Sequence, residues 1–319
     1  MTLPLSQRLQ ALDPDTLGVS DYMRAYLQRM LPVADYYLSI YEHGLAHLLD
    51  EVGLPPADVT LIDYGGGHGM LSLLAREMGV GHIIYVDINP ESVQAFKALL
   101  AALHIDESHF TIIVGDSYTL RLHNEQGALR RPTMVMGADV IEHIYCIDDT
   151  LADLLALNPR MPMLFTTAST PYNRRIVRRL RKVMVKDEAL FLQKRKDFIV
   201  KIYPDLSPDQ QDYWARHTRG LNYDDIMRAI DSESPNLLRD PYNTCDPETG
   251  SWTERILPLR AYEQLLQPYN YSLQVELGWY NPANRGLKGL LQRHYNKSLL
   301  RGKRRSKAPF LFLRMTQNA

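Results

Sequence analysis

Between residues 59 and 167 short apolar runs alternate with amphipathic stretches, and this alternation restricts the fold more than any other feature of the chain. Residues 59–63 form a continuous apolar run that ends in an acid, the pattern of a strand buried on both faces. Further strands are expected over 82–87, 110–114, 134–138 and 163–167, with helices over 70–78, 90–103 and 148–157. Strands and helices alternating at these lengths imply a parallel sheet covered on both faces. Ligands of such sheets bind beyond the carboxyl ends of the strands, near the point where strand order reverses.

The first of those ends is the most informative. Asp63 is followed by Tyr64-Gly65-Gly66-Gly67-His68-Gly69, a glycine loop between a strand and a helix, where the backbone can turn sharply and approach a ligand. A dinucleotide fingerprint wants glycine or alanine three positions after Gly67, and Met70 stands there, which disfavours a nicotinamide oxidoreductase. Asp87 ends the next strand about 20 residues beyond the glycines, where a carboxylate can accept from both hydroxyls of a ribose. Gly115-Asp116 ends the third strand, placed to receive an adenine amino group. Each aspartate alone also reads as a helix cap or turn residue. Their joint order and spacing favour a nucleoside cofactor.

Asp63 to Gly69, Asp87, Gly115-Asp116 and the strand end at Asp139 resemble the successive motifs of the class I S-adenosylmethionine-dependent methyltransferases. The resemblance implies a Rossmann-like α/β fold with a seven-stranded, mostly parallel sheet whose last strand runs antiparallel beside the fifth; residues 310–315 suit that strand. It implies S-adenosyl-L-methionine as cofactor. Asp63, Gly65, Gly67 and Gly69 would hold its methionyl portion, Asp87 and Ile88 the ribose end, Asp116 and Ser117 the adenine, with Asp139 closing the site. The Asp139-Val140-Ile141-Glu142-His143 segment is similar to the Glu-x-x-Glu-His segment of ubiquinone-pathway O-methyltransferases and small-RNA 3'-end methyltransferases, which contributes to a divalent-metal site. Here Asp139 replaces the first glutamate, so Asp139, Glu142 and His143 are metal candidates, and His217 and His294 are candidates for a further ligand. Glu142 and His143 are also the catalytic candidates, because a hydroxyl acceptor must lose a proton and His143 can take it. Alternatively both residues start a helix and fix the loop.

The expected organisation is an N-terminal helical cap over 1–55, the cofactor core over 56–170, a helical lid or acceptor-binding insertion over 171–255 and completion of the sheet over 256–319. The cap reads as two helices interrupted near Leu31-Pro32. In the insertion, Tyr172 and Asn173 are either acceptor contacts or turn residues, and the segments around Trp214 and Trp252 either stack on a sugar or anchor loops. The arrangement loosely resembles methyltransferases of surface-polysaccharide pathways. Residues 174–182 and 285–307 carry dense Lys and Arg, Lys288, Arg301 and Lys303 among them, although the 319-residue chain has a formal charge of only -1. These runs are either a surface for an anionic partner or a solvated face offset by the acidic stretch at 224–254.

Two cysteines exclude a disulfide framework, and the N-terminus lacks the basic-then-apolar pattern of a signal peptide, so a cytoplasmic protein is expected. The preferred function is O-methylation of a hydroxyl on a small-molecule, glycan or lipid-linked acceptor, with peripheral membrane contact through the basic segments. The alternatives are a metal-assisted RNA methyltransferase, which the near-neutral charge disfavours, and a binding protein that keeps the fold without turnover.

Overall fold

The computed structural model describes residues 3–236, 238, 240–301 and 304–318. Lys303 lies outside them, as do the side chains of Lys288 and Arg301. Two N-terminal helices, α1 (Leu5–Gln10) and α2 (Asp21–Met30), precede α3 (Ala34–Val52). The break between α2 and α3 is a short 3-10 turn over Leu31–Val33, where Pro32 has no N–H to continue the ladder. Ser20 caps α2, its hydroxyl accepting from the Met23 N–H, and α3 stops at Gly53 in the left-handed conformation.

The alternating region follows as β1 (Thr60–Tyr64), α4 (Met70–Glu77), β2 (His82–Asp87), α5 (Pro90–Ala102), β3 (Phe110–Val114), α6 (Ser117–Glu125), β4 (Met134–Ala138), α7 (Ile147–Leu157) and β5 (Met163–Thr167). Every expected strand is present. Helix α6 was not anticipated: only Ser117 and Leu120 of it are buried, too few to give a helical period in sequence. Three helices make up most of the insertion, α8 (Arg174–Ile202), α9 (Pro208–His217) and α10 (Tyr223–Asp231). They share a small apolar core of Ile199, Ala215, Ile226 and Ile230. The chain ends with α11 (Leu259–Leu266), β6 (Tyr271–Leu277), α12 (Gly286–Arg301) and β7 (Leu311–Gln317).

The seven strands form one sheet in the order β3-β2-β1-β4-β5-β7-β6. Strands β1 to β5 run parallel, and β7 inserts antiparallel between β5 and β6, with Phe165 opposite Leu313 and Val275 opposite the same residue. Alternate residues of each strand feed opposite cores, as a two-residue side-chain period requires. Leu61, Ile83, Tyr85 and Met136 face the layer built from α1 to α5, whereas Ile62, Ile84, Val86 and Val135 face α6, α7 and α11. Strand order reverses between β1 and β4, so the loops after them bound the crevice where a ligand is expected. Among the described residues, no helix is long and apolar enough to cross a membrane.

Candidate functional site

A cavity of about 880 Å³ opens over the carboxyl ends of β1, β2, β3 and β4. That volume lies at the upper end of the usual range for ligand pockets, roughly 300–1,000 Å³, so it accommodates a nucleoside-sized molecule with a second reactant beside it. Of the residues expected from sequence, Asp63, Gly65, Gly67, Asp87, Ile88, Asp116, Ser117, Asp139 and His143 line it. Gly69 and Glu142 do not.

The floor is built by backbone geometry. The N–H groups of Gly65 and Gly66 donate to Val86 O at 2.9 and 3.1 Å, which fastens the loop to β2. Gly67 has φ +53, its N–H donates to Asp87 Oδ2 at 2.8 Å, and nothing in the protein lies nearer than 4.0 Å to where its Cβ would stand. The space above Gly67 belongs to the cavity. Gly69 also has a positive φ, +78, yet its Cβ would stand 2.0 Å from Phe96 Cδ2. Packing at the start of α4 therefore requires glycine here, and Gly69 does not line the cavity.

Asp63 is buried beneath the loop and accepts from Ser72 Oγ at 2.6 Å. Burial, with the Asp87 carboxylate nearby, pushes its pKa up to about 7 despite the Ser72 bond. Asp87 accepts from the Asn89 and Gly67 N–H groups at 2.8 Å each, one on either oxygen. Burial raises its pKa too, against the lowering by those bonds. Each Asp87 oxygen keeps a further lone pair, the requirement for gripping a diol. Ile88 and Tyr118 are apolar surfaces left exposed on the cavity wall, as a flat base would need. Tyr118 escaped sequence reasoning because it lies on the unanticipated α6. Asp116 caps that helix, Oδ1 accepting from the Thr119 N–H and hydroxyl. It therefore serves as cap and as cavity wall together. Ser117 is buried, with its hydroxyl donating to Asp153 at 3.0 Å.

At the other end, Asp139 leaves β4 with φ +56, its N–H bonded to Thr166. His143 Nδ1 lies 2.8 Å from Trp252 O. A carbonyl oxygen only accepts, so Nδ1 carries the hydrogen and the neutral ring keeps its Nε2 lone pair. The tautomer suited to a general base is thus fixed by the insertion. Three further bonds tie the same strap down: Trp252 N to His143 O at 3.0 Å, Arg255 N to Glu142 O at 3.0 Å and Trp252 Nε1 to Tyr145 O at 3.1 Å. Thr249 and Ser251 of the strap line the cavity, as do Tyr22, Tyr26, Tyr37 and Tyr41 of α2 and α3.

Glu142 is fully buried behind the cavity, Oε1 accepting from Thr167 Oγ1 at 2.9 Å and Oε2 without a partner. Burial, with Asp139 and Glu254 nearby, pushes its pKa well above the ordinary carboxylate value. Glu142 does not line the cavity, and its Oε1 faces Thr167. Among the described residues, the only three donors gathered within 4.8 Å of one another are His43, His47 and Glu276, and Asp139, Glu142 and His143 are not so gathered. The Glu142 carboxyl is turned to Thr167 and the His143 Nδ1 to Trp252. His217 stacks on Tyr213 and His294 lies tilted against Tyr295, and neither lines the cavity.

Tyr172 and Asn173 take their turn-and-packing alternative. Asn173 caps α8 and donates to Ala308 O at 2.8 Å, and Tyr172 OH accepts from the Leu259 N–H at 3.1 Å. The acidic stretch reaches the first basic run through Glu254, which lies within electrostatic reach of Arg179 without a salt bridge. Its carboxylates Asp246 and Glu248 pair with Lys194, and Asp225 with Arg228. Among the described residues, no salt bridge reaches Arg174 to Lys182.

Electrostatically the cavity is negative. Six aspartates line it (Asp63, Asp87, Asp116, Asp139, Asp149 and Asp153) against one arginine, Arg121, which is already paired with Asp153 at 2.9 Å. Such a site attracts a cation and repels a pyrophosphate.

No protein-family model matches the chain. It is 30% identical over 110 residues to a ribosomal protein L11 methyltransferase of Legionella pneumophila, 34% of this chain and 31% of that protein. It is 37% identical over 60 residues to the protein of the same name from Dechloromonas aromatica, 19% of each chain. The chain thus spans about a third or less of the length of these relatives. Similar solved structures include a proposed S-adenosylmethionine-dependent methyltransferase from Listeria monocytogenes, at 14% identity and TM-score 0.46, covering 89% of this chain and all of that one. A plantazolicin methyltransferase in complex with S-adenosylhomocysteine is 15% identical at TM-score 0.44, with 99% and 95% covered. With its sheet order, its antiparallel seventh strand and the glycine loop over β1, the chain has the fold of the class I S-adenosylmethionine-dependent methyltransferases.

Proposed function

We propose that the chain is an S-adenosylmethionine-dependent methyltransferase acting on a hydroxyl of a small-molecule, glycan or lipid-linked acceptor. The acidic cavity carries this reading. S-adenosylmethionine bears a sulfonium and an ammonium, whereas the phosphates of a nicotinamide dinucleotide would meet six aspartates and no free arginine among the lining residues. The open space above Gly67 and the two lone-pair-bearing oxygens of Asp87 fit a ribose lying across the loop. Ile88 and Tyr118 suit the base, and Asp116 its amino group. Asp63 lies under the methionyl end.

The cofactor supplies an electrophilic methyl group. The chain's part is to align an acceptor oxygen with it and to remove the hydroxyl proton, which His143 Nε2 can accept while Trp252 O holds the imidazole in place. Glu254 lies within electrostatic reach of the same ring. The tyrosines of α2 and α3 and the hydroxyls of Thr249 and Ser251 offer an uncharged, polyhydroxylated acceptor aromatic faces and hydrogen bonds.

A second reading, methylation of a protein, follows from the names of the L11 relatives. Titration with S-adenosylhomocysteine and, separately, NAD tests the cofactor: binding of the first alone is expected, and a folded sample that binds neither overturns the proposal. Product analysis then divides the acceptors, since methyl found exclusively on nitrogen or carbon would remove the hydroxyl assignment. The exposed basic run on α8 suits an anionic partner surface, such as lipid headgroups, and a salt series on vesicle binding tests that.

A further inference from the structure

Helix α3 carries a second group of chemistry-bearing side chains, outside the cavity. His43 and His47 stand one turn apart on one face of the helix, and Glu276 approaches them from β6. Both histidines present Nε2 to the same carboxylate oxygen, Glu276 Oε2, at 3.0 and 3.4 Å. The rings meet edge to face at 4.6 Å between centroids, and the three donor atoms lie within 4.8 Å of one another.

These spacings match a known coordination figure. Zinc binds imidazole nitrogen and carboxylate oxygen at about 2.0–2.1 Å, and the edge of a tetrahedron of that radius is about 3.3 Å. Two such edges are already present before any ion is considered. The donors are two imidazoles and a carboxylate, a mixed nitrogen–oxygen set that suits borderline divalent transition metals over calcium or magnesium.

The surroundings hold the donors in place. Trp279 lies edge-on to His43 at 5.3 Å, and Phe312 of β7 lies 4.9 Å from it, so an apolar wall closes one side. On the same face of α3, two turns earlier, Tyr36 OH donates to Trp279 O at 2.7 Å. All three side chains are about a third exposed, open enough for an ion to enter and for water to fill a fourth position.

We propose that His43, His47 and Glu276 bind one divalent transition-metal ion of the zinc type, clamping α3 to the edge strand β6. The clamp has a place in the site's architecture. Tyr37 and Tyr41, which line the cavity, precede His43 and His47 by six residues on the same helix, about 9 Å along its axis. An ion bound to this face fixes the helix that forms the acceptor-side wall.

The test uses the full chain, without a histidine tag, freed of metal by chelator. Zn²⁺ is titrated in competition with a chromogenic chelator, and Co²⁺ uptake is followed by its visible absorption. One equivalent is expected to bind, cobalt to give the intense bands of a tetrahedral site, and the melting temperature to rise with zinc. H47A and E276Q are expected to weaken binding at least tenfold and to lose the melting shift, while still binding S-adenosylhomocysteine. E276Q retains the size of the side chain, so a fold defect in H47A would not obscure the result. Wild-type protein that takes up no zinc against the chelator, or variants that bind it as tightly as wild type, would overturn the proposal. Because cofactor binding is measured separately, neither result bears on the methyltransferase assignment.

Discussion

Gly67 and Gly69 share a motif, a loop and a positive φ, yet they are expected to fail in opposite ways when given a methyl group. In Gly69→Ala the new Cβ stands 2.0 Å from Phe96 Cδ2, about 1.5 Å inside the ordinary contact distance. Phe96 cannot recede: it is fully buried, stacked on Tyr85 at 4.4 Å and edge-on to Phe110 at 5.4 Å. Overpacking of this kind costs about 1–3 kcal/mol, and a left-handed backbone about 1–2 kcal/mol for an L-residue. The stiffer unfolded chain returns about 0.4–1 kcal/mol, leaving a net loss of roughly 2–4 kcal/mol. Gly67→Ala meets no atom within 4 Å, so only the backbone cost remains, about 1 kcal/mol after the same offset. Its methyl projects into the space assigned to the cofactor. Thermal unfolding with and without S-adenosylhomocysteine separates the two. Gly69→Ala should melt several degrees lower and still be stabilised by ligand, whereas Gly67→Ala should melt near wild type and gain nothing from it. A Gly67→Ala protein that binds the ligand normally would refute the placement of the cofactor over this loop.

Other consequences are as direct. Asp87→Ala should abolish S-adenosylhomocysteine binding, while His143→Ala should spare it and lower turnover about 10²- to 10⁴-fold; equal loss of binding in both would refute the division of roles. Because the folded Asp63 pKa of about 7 exceeds its unfolded value of 3.8, the folded state holds an extra proton between those values. Unfolding free energy from this group therefore falls as pH rises from 4 to 7, by about 4 kcal/mol at most, and Asp63→Asn should flatten that slope in a pH series of denaturant melts. Ionised Asp63 suits a ligand ammonium, so S-adenosylhomocysteine affinity should rise between pH 6 and 8 with proton release by calorimetry; a flat profile would exclude the contact. Arg195 is fully buried and bonds Glu188 and Ala215 O, so Arg195→Ala should destabilise the insertion by about 3–5 kcal/mol, seen as faster hydrogen exchange over α8 and α9.

The strands were legible because each is a local apolar run with a polar end, and the end-of-strand aspartates because a parallel sheet brings its carboxyl ends to one edge. Sequence could not divide the glycines, since the residue that crowds Gly69 is Phe96, contributed by α5. Nor could it place Glu142. Its neighbours His143 and Asp139 face the cavity, but its own carboxyl turns toward Thr167, 25 residues later. Asn173 fitted both a pocket and a cap, and only its bonds to the α8 backbone and Ala308 decide for the cap. His43, His47 and Glu276 went unremarked because 229 residues separate the second histidine from the glutamate, and a lone pair of histidines on a helix carries little signal.

The same separation in sequence explains how the site divides its work. The residues proposed to hold the cofactor come from the alternating core, residues 63 to 118, whereas the hydrogen bond that sets the His143 tautomer comes from Trp252 O, 109 residues downstream. That carbonyl is in turn fixed by the pairing of Trp252 with Cys245 and by its N–H on His143 O. Thr249 and Ser251, on the same strap, line the cavity. An acceptor pressing on these residues therefore presses on the segment that orients the base. Removing the strap would leave His143 free to rotate and to adopt either tautomer, while Asp87 and the glycine loop kept their bonds to β2 and to each other. On the proposed function, cofactor affinity would belong to the core and the orientation of the base to the insertion; substitutions in the strap should accordingly act on turnover and acceptor choice before they act on cofactor binding.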